Sequence, residues 1–423
     1  MSNIERRRSS NDFLDSVLLT IQNISDIGYI KEEYLDILCN SEKKIEFSIP
    51  FKLDNGIIKT FKAFFVQHST ILGPSIGSIE ILRNASIEDC EAFAMLMSLQ
   101  TSALGIPLGG SKGIIVANIE DLNKDETERL YRKFIDNVYD CIDKERNIIK
   151  LFENSNEYSL YPIIDEVEKK LGNAKYSVNR PEEYFGTGLI SKSQNYSIAQ
   201  CVKKVLTNYS EKDIKDINLG ITMSENLDVD LLTELNNLGL KILGFAADED
   251  KNIKLYREKV WDIIYNNDWD MNPRILVKRI KPYPESTEES ILTSNVDILI
   301  LQHPELRIET DVAEKIKAKY IIEAGENLIS DEAETILEDN GIIVIPDFIS
   351  LGGVLVNSYI EWTYGSSSSI LGKDNWKNNI SNLLDKSLDN IFSLKEENSI
   401  STREAAVLYA IKRLVDIREK KSF

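Results

Sequence analysis

From about residue 213 onward, short apolar runs alternate with helical stretches, and this rhythm constrains the fold more than any other feature of the chain. Ile217–Ile221 reads as a strand, Val229–Leu238 as a helix closed by Gly239, and Leu240–Phe245 as the next strand. Val296–Leu301, Tyr320–Ala324, a helix around Asp331–Glu338 and Ile342–Ile345 continue the series. Short, continuously apolar strands suit a sheet buried on both faces, and helical crossovers make its strands parallel. The expectation is a doubly wound α/β domain, a fold that commonly holds a dinucleotide.

The residues before it follow another pattern. Phe13, Val17, Leu18, Ile21 and Ile24 recur at helical spacing within residues 11–40. Two strand-like runs, Lys44–Leu53 and Ile57–Gln67, flank Asp54-Asn55-Gly56, a hairpin signal. Ser86 with Asp89 three residues on marks a helix start, and Ile87, Cys90, Phe93, Ala94 and Met97 fall on one face of that helix. Leu130, Phe134, Val138 and Ile142 form the stripe of a further helix over roughly residues 124–143. The first domain is thus a mixed α and β structure ending near residue 190. After Gly352 the chain is helical again, and Gly365–Ser369 reads as a surface turn. The expected division is residues 1–190, with helices from 350–423 packing back, and a Rossmann-like domain over 191–349.

With 423 residues, the chain has material for two cores of ordinary size. Apolar residues make up 42%, and no apolar run approaches a membrane span. Its net charge of −19 argues against nucleic acid or an anionic membrane as partner, since both need a cationic face. The basic start, MSNIERRRSSNDF, leads into no signal-peptide core, so the expected location is the cytoplasm. Cys39, Cys90, Cys141 and Cys201 lie far apart, and His68 and His303 are the only histidines. Neither a zinc site nor a disulfide framework is expected.

Residues 66–114 read VQHSTILGPSIGSIEILRNASIEDCEAFAMLMSLQTSALGIPLGGSKGI. This resembles the substrate half of the glutamate dehydrogenase family, the glutamate/leucine/phenylalanine/valine dehydrogenases. There the order is VQH, GP-x-K-GG-x-R, a helix carrying M-x-x-K, then P-x-GG-x-KG. Residues 315–362, KIKAKYIIEAG through LGGVLVNSYIEW, are similar to a second family block carrying E-G-A-N, P-D and S-Y-x-E-W. The likeness runs from about residue 11 to about residue 420.

The resemblance implies oxidative deamination of an amino acid, with hydride passing to NAD or NADP. It implies a substrate cleft containing Lys112 as the catalytic lysine, with Gly109, Gly110, Asn154 and Ser358 beside it. The charged residues expected around them are changed. The first family lysine falls on Ile76, the following arginine on Glu80 and the helix lysine on Gln100. Counted without gaps, the family's proton-shuttling aspartate falls on Phe152, next to Glu153. Losing two cationic donors removes about two charge-assisted bonds of roughly 1.5–3 kcal/mol each from the grip on a substrate carboxylate. Glu80 would add repulsion if it faces the same space.

The cofactor side departs further. A pyrophosphate wants G-x-G-x-x-G at the first strand-to-helix turn, but Gly220-Ile-Thr-Met-Ser-Glu-Asn226 keeps only the leading glycine. Asp248 stands one place late for the ribose, and Ile190 and Gln194 fall on the family arginine and threonine of the nicotinamide pocket. Glu326 replaces the asparagine of E-G-A-N. The resulting expectation is a catalytically silent relative that binds no cofactor. It would serve as a regulatory or structural subunit of a homo- or hetero-oligomer, with an active paralogue as one partner and residues 44–67 as the assembling edge. Two alternatives stand beside it: an active NAD(P)-dependent amino-acid dehydrogenase of altered specificity, and a metabolite sensor using the old cleft.

Overall fold

The computed structural model describes residues 10–139, 146–151, 160–222, 228–248, 253–256, 292–303, 307–326 and 328–421. The chain divides into two compact units. One holds residues 1–190, 354–379 and 406–423; the other holds 191–353 and 380–405. The C-terminal helices are therefore shared between the units, where the sequence reading returned all of them to the first.

The first unit opens with helices α1 (Ser10–Ile27) and α2 (Glu32–Cys39), separated at Gly28-Tyr29, where Tyr29 takes a φ of +53°. A seven-stranded mixed sheet follows, ordered β1 (Lys43–Lys52), β2 (Ile58–Ser69), β5 (Gly109–Val116), β3 (Ser75–Gly77), β6 (Asn147–Lys150) and β7 (Ser177–Val178), with β4 (Ile79–Leu82) also paired to β5. The outer pairs β1–β2 and β2–β5 are antiparallel, and the remaining pairs are parallel. Along β1 the alternation of Ile45, Phe47, Ile49 and Phe51 with Glu46, Ser48, Pro50 and Lys52 sends one set toward the core and leaves the other exposed. The turn joining β1 to β2 uses Gly56 at φ +85°, and the Asn55 side chain accepts from Ile57 N at 3.0 Å.

Helix α3 (Ile87–Ala103) begins at the expected capping box: Asp89 N donates to Ser86 Oγ at 3.1 Å, and Ser86 N donates to Asp89 Oδ2 at 2.9 Å. It is buried on more than the one anticipated face, because it lies between the sheet and α1. On the sheet side Cys90 and Ala94 pack with Phe64, Val66 and Ile114. The opposite face of the sheet is covered by α4 (Lys124–Tyr139) and α5 (Leu160–Leu171), through Leu130, Phe134, Val138, Ile163 and Val167.

Gly365–Ser369 is a 3₁₀ turn running into a short helix, with Ser366 and Ser367 exposed as expected of a surface turn, but it is anchored inward at two positions. Gly365 and Ser368 are buried, because the fully buried guanidinium of Arg180 reaches them: its Nη2 donates to Gly365 O at 2.8 Å and Ser368 Oγ at 3.2 Å.

The second unit is built on a six-stranded sheet ordered β10 (Ile253–Tyr256), β9 (Lys241–Asp248), β8 (Asn218–Thr222), β11 (Ile298–Leu301), β12 (Tyr320–Glu323) and β13 (Ile343–Ile345). All pairs are parallel except β10–β9. β11 and β12 are buried along their whole length, which explains their continuous apolar runs. Helices α6 (Ile190–Tyr209), α7 (Val229–Asn237) and Asp331–Asp339 belong to this unit. β8 has β9 on one side and β11 on the other, so the strand order reverses there, the place where doubly wound sheets bind ligands.

Candidate functional site

Lys112 lies on β5 in the first unit, and the register of its neighbours decides its surroundings. β4 runs parallel to β5 with Glu80 opposite Ile114. Side chains two residues apart on a strand share a face, so Glu80 stands diagonally across from Lys112 on the face that α3 covers. The Lys112 ammonium donates to Glu80 Oε1 and, at 2.9 Å, to Ser78 Oγ. Ser78 in turn donates to Glu80 Oε1 at 2.8 Å, closing a three-membered set. The Phe93 ring of α3 lies 4.9 Å from the ammonium, and the Cys90 thiol donates to the Lys112 carbonyl at 3.2 Å.

This geometry corrects one expectation. Glu80 does face the same space as Lys112, but it binds the lysine rather than merely adding repulsion to the site. A carboxylate therefore stands within hydrogen-bond reach of the surviving amine. Lys112 keeps 6% of its surface exposed and the Glu80 side chain 22%. Burial alone would raise the Glu80 carboxyl, but the charge and hydrogen bond of Lys112, with Ser78 and Lys150, hold it below the usual carboxylate range. Glu80 is therefore held as a carboxylate against the Lys112 ammonium.

The flanking glycines have structural reasons to be there. A methyl group on Gly110 would sit 2.3 Å from Ala94 O and 2.4 Å from Ser98 N, against the backbone of α3. One on Gly109 would sit 1.7 Å from Ser69 O. Both positions let β5 approach protein backbone closely. Ile76, at the family lysine's place on β3, is completely buried opposite Gly110, while Gln100 is half-buried near the end of α3. Asn154 lies outside the described residues, as do Phe152, Glu153 and Ser155.

Ser358, on the helix Gly353–Tyr364, is fully buried. Its hydroxyl lies 2.7 Å from Asn179 Oδ1 and 2.9 Å from the Val354 carbonyl, so its one proton serves one acceptor at a time. Asn179, which the sequence reading passed over, is itself buried and held at φ +64°. Next to it Arg180 N donates to Glu361 Oε2 at 3.0 Å, and Thr187 N and Oγ1 both donate to Glu361 Oε1 at 2.9 Å. Glu361 is the glutamate of the S-Y-x-E-W block, so a signal for it was present; none marked Arg180. Lys112, Gly109 and Gly110 share one strand, while Ser358 belongs to this separate buried network.

In the second unit the turn after β8 is only partly described, since residues 223–227 fall outside the described set. The helix that follows is capped by Asp228, whose Oδ1 accepts from Leu231 N at 3.1 Å. Two side-chain amides hold that carboxylate: Asn195 Nδ2 donates to Oδ1 at 2.7 Å and Gln302 Nε2 to Oδ2 at 3.2 Å. A fixed anion thus occupies the helix N-terminus where a dinucleotide fold receives phosphate. Gly220 is buried within β8, and of Asp248 only the backbone, at the end of β9, is described. Gln194 lies on α6 and Glu326 is exposed on the turn after β12.

A second charged cluster, also missed in the sequence, surrounds Arg403. Its guanidinium donates to Glu323 Oε2 and, at 2.7 Å, to Glu334 Oε2, and lies 3.6 Å from Asp347 Oδ1. Among the described residues no group of His, Cys, Asp and Glu could hold a metal ion, and no helix is long and apolar enough to cross a membrane.

Comparison with known proteins agrees with this architecture. Residues 41–167 match the family model described as Glu/Leu/Phe/Val dehydrogenase, dimerisation domain, and residues 194–422 match that of glutamate/leucine/phenylalanine/valine dehydrogenase. The chain belongs to this dehydrogenase family. It is 27% identical over 400 residues to the NAD-specific glutamate dehydrogenase of Clostridioides difficile, covering 94% of each chain. Its fold matches the glutamate dehydrogenase of Peptoniphilus asaccharolyticus with a TM-score of 0.79 at 21% identity, covering 96% of this chain and 99% of the other. The Leu-bound hetero-hexameric glutamate dehydrogenase from Thermus thermophilus matches with a TM-score of 0.80 at 18% identity, covering 99% of both. The fold of this family member, a mixed-sheet unit followed by a Rossmann-like one, is as its sequence implied.

Proposed function

We propose that this glutamate dehydrogenase-like protein of amino-acid metabolism works without turnover, as a regulatory or structural subunit of an oligomer that includes an active paralogue. One observation carries the reading: the ammonium of Lys112 is already bonded to Glu80 and Ser78. A substrate carboxylate would have to compete with a carboxylate fixed in place, and Ile76 offers no second cation. On the cofactor side, the Asp228 carboxylate on the N-terminus of α7 would repel a pyrophosphate. That carboxylate speaks against NAD or NADP at this helix, and no hydride step is derived.

Assembly is supported by β1, a long edge strand whose only partner among the described residues is β2. The Thermus thermophilus neighbour is hetero-hexameric, which gives the mixed assembly a precedent of the same fold.

The second reading, an active amino-acid dehydrogenase with altered specificity, is favoured by the same Glu80, which could carry protons beside Lys112. Against it, a carboxylate held below its usual range is a weak base near neutral pH. Two measurements test the main reading. Calorimetric titration with NAD and NADP should give no micromolar binding, and the chain co-expressed with a paralogue should purify in one oligomer with it. A chain that runs as a monomer both alone and when co-expressed with the paralogue, or tight cofactor binding, overturns it.

A further inference from the structure

We propose that Glu80 is a built-in counter-ion that masks an anion site: Lys112 binds a small carboxylate ligand only when Glu80 is neutralised or moved aside. This rests on the reading above, that the Glu80–Lys112 pair is the resting state of the site, and it adds what the pair conceals. Lys112 is held for anion binding by everything except Glu80. The Ser78 hydroxyl at 2.9 Å can accept from the ammonium or turn its proton toward an incoming oxygen. Phe93 seats the ammonium from the α3 side at 4.9 Å, and Lys150 on β6, which pairs with β3, adds positive potential at Glu80.

The two sides of the pair differ in freedom. Lys112 is on an interior strand, between β2 on one side and β3 and β4 on the other, and is 6% exposed. Glu80 is on β4, which pairs only with β5 among the described residues, and its side chain is 22% exposed. If one partner swings out to water, it is Glu80. The ligand class follows from what the carboxylate imitates. Its Oε1 accepts from Lys112 and from Ser78, as one oxygen of a carboxylate or another oxyanion would.

The test uses the full chain and sulfate as probe, a small dianion that does not titrate in the neutral range. Glu80→Gln keeps the shape of the side chain and removes its charge. It should bind sulfate about ten- to a hundredfold more tightly than the parent, the range one charge-assisted bond supplies. Glu80→Ala serves if the glutamine variant folds poorly. Adding Lys112→Met to either should abolish the gain. In parallel, acylation of Lys112 followed by mass spectrometry should be faster in Glu80→Gln than in the parent. Equal sulfate affinity in parent and Glu80 variants, or a gain that survives loss of Lys112, overturns the proposal. Turnover of an amino acid by the parent would instead sink the non-catalytic reading and leave the sulfate result standing.

Discussion

A carboxylate with no exposed surface must share its charge or give it up, and Glu323 does some of each. Its Oε2 accepts from Arg403, while Oε1 has no hydrogen-bond partner among the described residues. Burial pushes its carboxyl up, Arg403 opposes, Asp347 and Glu334 push further, and the group titrates at about 7. Glu338 is pushed to about 7 as well, by burial and then Glu334. An unfolded glutamate titrates near about 4.3. Between that value and about 7 the folded chain holds the additional protons, so stability falls as pH rises through this window. For Glu323 the loss reaches about 4 kcal/mol at most, from the size of the shift. Glu323→Gln should flatten the decline and leave the part due to Glu338. Denaturant midpoints measured from about pH 5 to about pH 8 check this, and an unchanged slope would place the titration elsewhere. Glu80 has the opposite sign: held low by Lys112, it contributes stability above its ordinary titration range and loses it as pH falls.

Among the elements, β3 shows why restoring the family residue here would not restore the family site. Ile76 is completely buried between β5 and β6. Ile76→Lys would place an ammonium at a fully buried position, paired in the sheet with Gly110 and Ile148. The expected cost is about 3 kcal/mol or more, against about 1 kcal/mol for Ile76→Val. Thermal unfolding of the two variants decides it; a stable, lysine-tolerant β3 would mean that this position opens to solvent. Element by element, the sequence was readable wherever one local rule governs: the Ser86–Asp89 capping box, the Asp54-Asn55-Gly56 turn, the apolar runs of β11 and β12. It failed where pairing between distant segments decides. Ile79–Leu82 is too short to mark its own register, yet that register puts Glu80 diagonal to Lys112. The inward anchoring of the run after Gly365 left no local mark, because the buried Arg180 that binds the Gly365 carbonyl and Ser368 lies far off in sequence. The Asp228 cap precedes α7 by one residue, but that it meets the amides of Asn195 and Gln302 depends on how α6 and β11 sit in the fold.

For the molecule as a whole, the family fold is kept in both units, and two charged positions where the family would meet a ligand are engaged by partners within the protein. Lys112 has Glu80, and the N-terminus of α7 has Asp228. Each pair satisfies within the protein a charge that a ligand could otherwise meet, which is what the proposed non-catalytic role in an oligomer rests on. The most direct test is an assay for reduced nicotinamide with the purified chain, using glutamate, leucine, phenylalanine and valine with NAD and with NADP. No formation above a Lys112→Met control is predicted, whereas turnover that Lys112→Met abolishes would contradict the account.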